Sequence, residues 1–201
     1  MTDIPKIGIL ALQGAFDVHA KRLEELGASA HLVRQPDELA SLDGLVLPGG
    51  ESTTFLKHLE RAGFYSALDE FVHAKPVFGT CAGCILLAKC VTDPPQAGFG
   101  ALDIDVQRNA YGRQNSSVIL HAETTLPGGP MEMVFIRSPR ISRLGAGVEV
   151  LACRDNDPVL VRSGRMLAAT FHPELSEDRR VHQLFLDIVR AEAQPQTLPT
   201  S

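Results

Sequence analysis

The sequence has no surplus of positive charge: 19 Lys and Arg stand against 24 Asp and Glu, a formal net charge of −5 over 201 residues. Such a chain offers no basic face to neutralise a phosphate backbone, which argues against a nucleic-acid partner. Long apolar runs are missing too. Lys89 interrupts the longest of them, so nothing reaches membrane-spanning length and no membrane partner is expected. The opening MTDIPKIGILALQG places Asp3 before a short apolar run, unlike the basic-then-apolar order of a secretory leader, and the expected location is cytoplasmic. Cysteines number only four, three of them crowded between 81 and 90, which does not suit an extracellular disulfide framework. Reduced thiols are expected. There is no internal repeat and no low-complexity segment.

With 44% hydrophobic and 21% charged residues, the chain suits one globular domain, expected over 1–193, followed by a mobile polar tail at 194–201. Strand patterns at 6–12, 29–34, 43–50 and 76–80 alternate with helical patterns at 16–27, 52–63, 65–74 and 82–91. That order predicts an α/β fold with a mostly parallel sheet covered by helices on both faces. Further strands are expected at 101–107, 117–123, 131–137, 148–154, 158–164 and 166–173, before a last helix at 177–192. They predict an antiparallel extension beside the parallel core.

The segment GTCAG places Cys81 between Gly79 and Gly83, at a strand-to-helix junction. This is the spacing of a nucleophile elbow, where residues without Cβ let strand and helix pack closely around a tight turn. At the first turn of a helix the dipole favours thiolate over thiol. Cys81 and Cys84 also spell C-x-x-C, but no second C-x-x-C or H-x-x-H accompanies them, and no metal site is expected. Cys84, Cys90 and Cys153 read as core packing.

A cysteine nucleophile needs a base and a group to orient that base. His19, His58, His73 and His182 fall in helical patterns rich in charge and read as solvated; His31 and His121 read as structural. His172 ends an apolar strand and begins HPE, where Pro173 releases the chain from the ladder and Glu174, two residues on, can reach the ring. Cys81, His172 and Glu174 therefore make a candidate triad. In LPGGES, the N–H of Gly50, with that of Ala82, is a candidate oxyanion hole, and Ser52 a candidate helix N-cap. Ligands of doubly wound sheets bind beyond the C-terminal strand ends, where both segments belong.

These motifs resemble the triad-type class I glutamine amidotransferases. GILALQGAFDVH, GLVLPGGESTT, GTCAGCILLA, RNAYGRQNSS, FIRSP and TFHPELSED resemble, in order, the glutaminase subunits of pyridoxal 5′-phosphate synthases, over about residues 6 to 190. The resemblance implies catalysis by Cys81, His172 and Glu174, and glutamine contacts from Gly50, Glu51, Ser52, Arg108, Ile136 and Arg137, with no cofactor. Arg108 or Arg137 could pair with the substrate α-carboxylate and Glu51 with its α-ammonium. It implies a partner as well: the synthase lyase subunit, which receives ammonia and without which the glutaminase is largely inactive, the expected docking region being ALQG at 11–14. The glutaminase domain is expected to take up the whole chain, leaving no acceptor site within it. Two departures stand out: Cys84 where such subunits have an apolar non-cysteine residue, and NSSV after GRQ, where they carry an aromatic followed by an acid. A glutaminase serving another synthase, such as that of histidine biosynthesis, and a non-catalytic module on the same fold remain open alternatives.

Overall fold

The structure is a computed structural model that describes residues 4–110 and 117–193. The first half alternates as expected: β1 (Lys6–Leu10), α1 (Phe16–Glu25), β2 (Ser29–Val33), β3 (Gly44–Leu47), α2 (Ser52–Arg61), α3 (Tyr65–Ala74), β4 (Val77–Thr80) and α4 (Ala82–Leu87). Then come β5 (Ala88–Thr92), β6 (Leu102–Gln107), β7 (Ser117–Ala122), β8 (Met131–Ile136), β9 (Arg140–Leu144), β10 (Glu149–Arg154), β11 (Asp157–Ser163), β12 (Met166–Ala169) and α5 (Arg180–Ala193). A seven-stranded sheet runs β10-β11-β12-β4-β3-β1-β2. From β12 to β2 every pairing is parallel, while β11 and β10 extend it antiparallel. Beside it lie a small sheet β5-β6-β9 and the β7-β8 hairpin.

The central strands β3, β4 and β12 are buried on both faces, so their side chains divide by parity. Leu45 and Leu47 of β3 and Val77 of β4 join one apolar cluster, with Phe55, Leu59, Leu68 and Leu86 from α2, α3 and α4. Val46 and Phe78 from the same strands join the opposite one, with Leu23 of α1 and Phe185 and Leu186 of α5. Gly27 and Gly63 end their helical segments at φ +82 and +69, a conformation that favours glycine.

Several boundaries differ from the sequence expectation. The helix expected over 82–91 stops at Leu87, because the N–H of Phe99 takes the Leu86 carbonyl at 2.7 Å and the chain turns extended at Ala88 to pair β5 with β6. β9 was not anticipated; it forms because β6 offers it an antiparallel edge. Strand pairing of the segment 166–173 ends at Ala169, and Pro173–Leu175 forms a short 3-10 turn. The 194–201 tail and Asn115 and Ser116 of the NSSV departure lie outside the described residues. Among the described residues no helix is long and apolar enough to cross a membrane.

Candidate active site

Cys81 follows β4 directly and sits at φ 47, ψ −103, a strained position for a residue with a side chain. Its N–H donates to the Ala169 carbonyl of β12 at 2.9 Å, which pins the turn to the sheet. The flanking glycines are needed for space: a Cβ on Gly79 would lie 2.6 Å from the Gly83 carbonyl carbon, and one on Gly83 only 2.0 Å from the Leu47 oxygen. This is the elbow geometry expected from GTCAG.

His172 reaches the same place from the other side of β4. Its N–H donates to the Val134 carbonyl of β8 at 2.8 Å, so the hairpin carries it. Its Nδ1 lies 2.8 Å from Oε1 of the fully buried Glu174, and its ring lines the same cavity as Cys81, whose Sγ lies 4.0 Å from the Ile136 carbonyl. Burial would lower the imidazole pKa, but the neighbouring Cys81 and Glu174 prevail and hold it at about 10. Burial likewise opposes ionisation of Glu174, and the neighbouring His19 and His172 outweigh it, keeping the carboxyl below its ordinary value. The backbone of Glu174 is clamped as well, its carbonyl accepting from Arg22 Nε at 3.1 Å.

In front of Cys81 opens a cavity of about 240 Å³ lined by Gly50, Glu51, Ser52, Arg108, Ile136, Arg137 and His172, with Ile85 and Asn109 besides. All six residues expected to contact glutamine thus share one cavity with Cys81 and His172. Ala82 is buried at the start of α4, and Glu174 behind His172. Glu51 is the N-cap of α2, its carboxylate accepting from the N–H groups of Thr53 and Thr54 at 3.1 and 2.7 Å. Burial works against that carboxylate, yet the bonds from Thr54 and Thr53 hold its pKa at about 2. Glu51 Oε1 also meets Arg108 Nη2 at 3.2 Å. Arg137 stands in the left-handed region at φ 45, is exposed, and has no ion pair among the described residues.

Some sequence assignments need correction. Ser52 is not the N-cap; it is the first residue of α2, and its hydroxyl donates to Gln96 Oε1 at 2.8 Å. His19 and His182 are fully buried rather than solvated, because both lie on the inward stripes of α1 and α5, beside Leu23 and Phe185. Cys90 is exposed and Cys153 half-buried, since each sits on a strand with a face toward solvent; only Cys84 packs in the core. Burial pushes the Cys84 thiol up to about 12, which leaves it inert. Gly49, the first of the two glycines of LPGGES, has a steric role that the motif did not reveal: a Cβ there would fall 2.4 Å from His172 Cε1 and 3.3 Å from Cys81 Cβ, so it makes room for the pair.

Comparison with known proteins agrees with this geometry. Residues 9–191 match the SNO glutamine amidotransferase family. A protein of Koribacter versatilis named pyridoxal 5′-phosphate synthase subunit PdxT is 64% identical over 185 residues, 92% of this chain and 96% of its own. The protein of the same name from Solibacter usitatus is 51% identical, covering 90% of this chain and 97% of its own. A crystal structure described as a glutamine amidotransferase superposes with a TM-score of 0.84 at 45% identity, covering 91% of this chain and 98% of that one. By family match, relatives and fold together, the chain belongs to the SNO glutamine amidotransferase family.

Proposed function

We propose that this protein is the glutaminase subunit of a pyridoxal 5′-phosphate synthase, hydrolysing L-glutamine to L-glutamate and ammonia and delivering the ammonia to a separate lyase subunit. The observation that carries the reading is the meeting of Cys81 and His172 in a cavity lined by Arg108 and Arg137, with Glu174 buried behind the imidazole, in a chain 64% identical to a protein named as a subunit of that synthase. The Cys81 sulfur attacks the side-chain amide carbon, and the N–H groups of Gly50 and Ala82 receive the oxyanion. His172, protonated at neutral pH, gives its proton to the departing nitrogen, and ammonia leaves. Water then attacks the γ-glutamyl thioester with His172 as base, and collapse of the adduct releases glutamate and restores the thiolate beside the imidazolium. Glu174 holds the ring throughout.

Arg137 takes the substrate α-carboxylate, since Arg108 already faces Glu51. Glu51, Ser52, Gly50 and Ile136 complete the glutamine site, and the unit that does this work is residues 1–193. The lyase subunit docks over 11–14 and aligns the oxyanion loop. That reading is supported by two contacts: a Cβ on Gly14 would fall 2.0 Å from the Gly49 carbonyl oxygen, and Gln13 Nε2 donates to the Glu51 carbonyl at 3.0 Å. The setting is the cytoplasm, where four free thiols stay reduced. The test is glutamate release and ammonia transfer by the purified protein with and without the lyase subunit. Hydrolysis that rises on mixing is expected; equal rates would remove the gating, and no hydrolysis in either state would remove the function.

A further inference from the structure

Behind the triad lies a chain of buried imidazoles that the reaction above does not use. Glu174 offers Oε1 to His172, while its Oε2 is buried without a hydrogen bond of good geometry and faces His19 Nε2 at 3.3 Å. Thr80 Oγ1 lies 3.3 Å from that same nitrogen. The other ring nitrogen, His19 Nδ1, meets His182 Nε2 at 3.0 Å, and His182 Nδ1 is buried with no partner. All three side chains are fully buried, so water is not available to correct a mistaken proton.

Proton counting selects one arrangement. If His19 carries its proton on Nδ1, a lone pair on Nε2 confronts the carboxylate, and His182 must bury an unpartnered N–H. With the proton on Nε2, it lies between Glu174 Oε2 and Thr80 Oγ1, each 3.3 Å from that nitrogen, Nδ1 accepts from His182 Nε2–H, and only a lone pair on His182 is left unpaired, a smaller penalty. Burial pushes both imidazoles below their ordinary pKa, so neither carries a second proton at neutral pH.

We propose that His19 is a positioning residue for the triad: its Nε2–H holds the outer oxygen of Glu174, and His182 fixes His19 in the tautomer that allows it. Helix α1 would then grip Glu174 twice, by its carboxylate through His19 and by its backbone carbonyl through Arg22. Glu174 turned by even a fraction of its torsion would no longer present Oε1 to His172 Nδ1, and the imidazolium would lose its orientation.

The inference rests on the glutaminase reading, and two measurements keep the two apart. The first is nitrogen NMR of the full chain labelled on histidine, with His19 assigned from the signal missing in His19→Gln. A neutral Nε2–H tautomer is expected at neutral pH; an Nδ1–H tautomer overturns the proposal whether or not the protein hydrolyses glutamine. The second is kcat and KM for glutamine, with the lyase subunit present, in His19→Gln, which keeps a donor, and His19→Met, which does not. His19→Gln should stay within about 3-fold of the parent kcat, and His19→Met should lose about 10-fold or more at unchanged KM. Full kcat in His19→Met, or equal losses in both variants, overturns the proposal. Absence of hydrolysis in the parent itself would instead reject the functional reading, leaving the tautomer result to judge His19 on its own.

Discussion

On the cavity side of His172, Glu51 keeps 51% of its side chain in solvent and Arg108 13%, whereas behind it Glu174, His19 and His182 keep none. The polar groups in front pair through contacts that solvent or substrate can replace, such as Arg108 with Glu51. Those behind have only other buried groups as partners. Damage to the front should therefore be graded and read mainly as substrate affinity, while damage to the back should be steep and read as turnover, because a buried polar group that loses its partner finds no substitute.

The largest break lies between the two regions, at the sulfur. Cys81→Ala should cost at least about 10⁴-fold in glutamine hydrolysis, measured with the lyase subunit present. The same variant should lower the His172 pKa from about 10, since the Cys81 side chain is among the causes that raise it, and histidine NMR titration reads this directly. The sign has a consequence for stability. A pKa raised from 6.5 to about 10 stabilises the fold fully below pH 6.5, and this contribution is lost as pH rises through 10. Cys81→Ala should flatten that loss in thermal unfolding between those limits.

Next comes the back. Glu174→Ala should reduce kcat by about 10³-fold with little change in KM, because the base loses its orientation while the glutamine contacts stand. At the front, Arg137→Ala should raise KM by about 10- to 100-fold and spare kcat by comparison, as expected for one charge-assisted contact to a carboxylate. If Arg137→Ala instead behaves like Glu174→Ala, the division into front and back is wrong. The smallest effect is expected at Glu51→Gln, which weakens the cap of α2. The Glu51 pKa is depressed from 4.5 to about 2, so its stabilising contribution is present above pH 4.5 and is lost as pH falls through 2. Chemical denaturation should show a modest deficit for Glu51→Gln at neutral pH that closes across that window.

The front was also the more legible region. Cys81 announced itself through Gly79 and Gly83, whose absent side chains the close approach of α4 to β4 and β3 requires. His172 and Glu174 were visible because Pro173 stands between them just past an apolar run, although β12 itself stops at Ala169. The back was hidden by charged neighbours: Lys21, Glu24 and Glu25 suggested a solvated helix around His19. Helical spacing held the missing signal, since His19, Arg22 and Leu23 stand at i, i+3 and i+4 and share the inward face. His182 stands likewise three residues before Phe185 and four before Leu186. The parallel core was readable from apolar runs bounded by glycine and proline. The end of α4 was not, because the group that caps it, Phe99 N–H, comes from a distant turn with no local trace in CILLA. Nor could any local pattern tell Glu51 from Ser52 as the cap of α2, since both can accept from the first turn.

The most direct test is covalent trapping with a glutamine analogue that alkylates thiols, in the presence of the lyase subunit, followed by peptide mass spectrometry. One adduct, on the peptide that contains Cys81, is predicted, with exposed Cys90 left unmodified because it lies outside the cavity in front of Cys81. An analogue that marks Cys90 or Cys153 as readily as Cys81, or marks none of them, would contradict the assignment of that sulfur as the nucleophile.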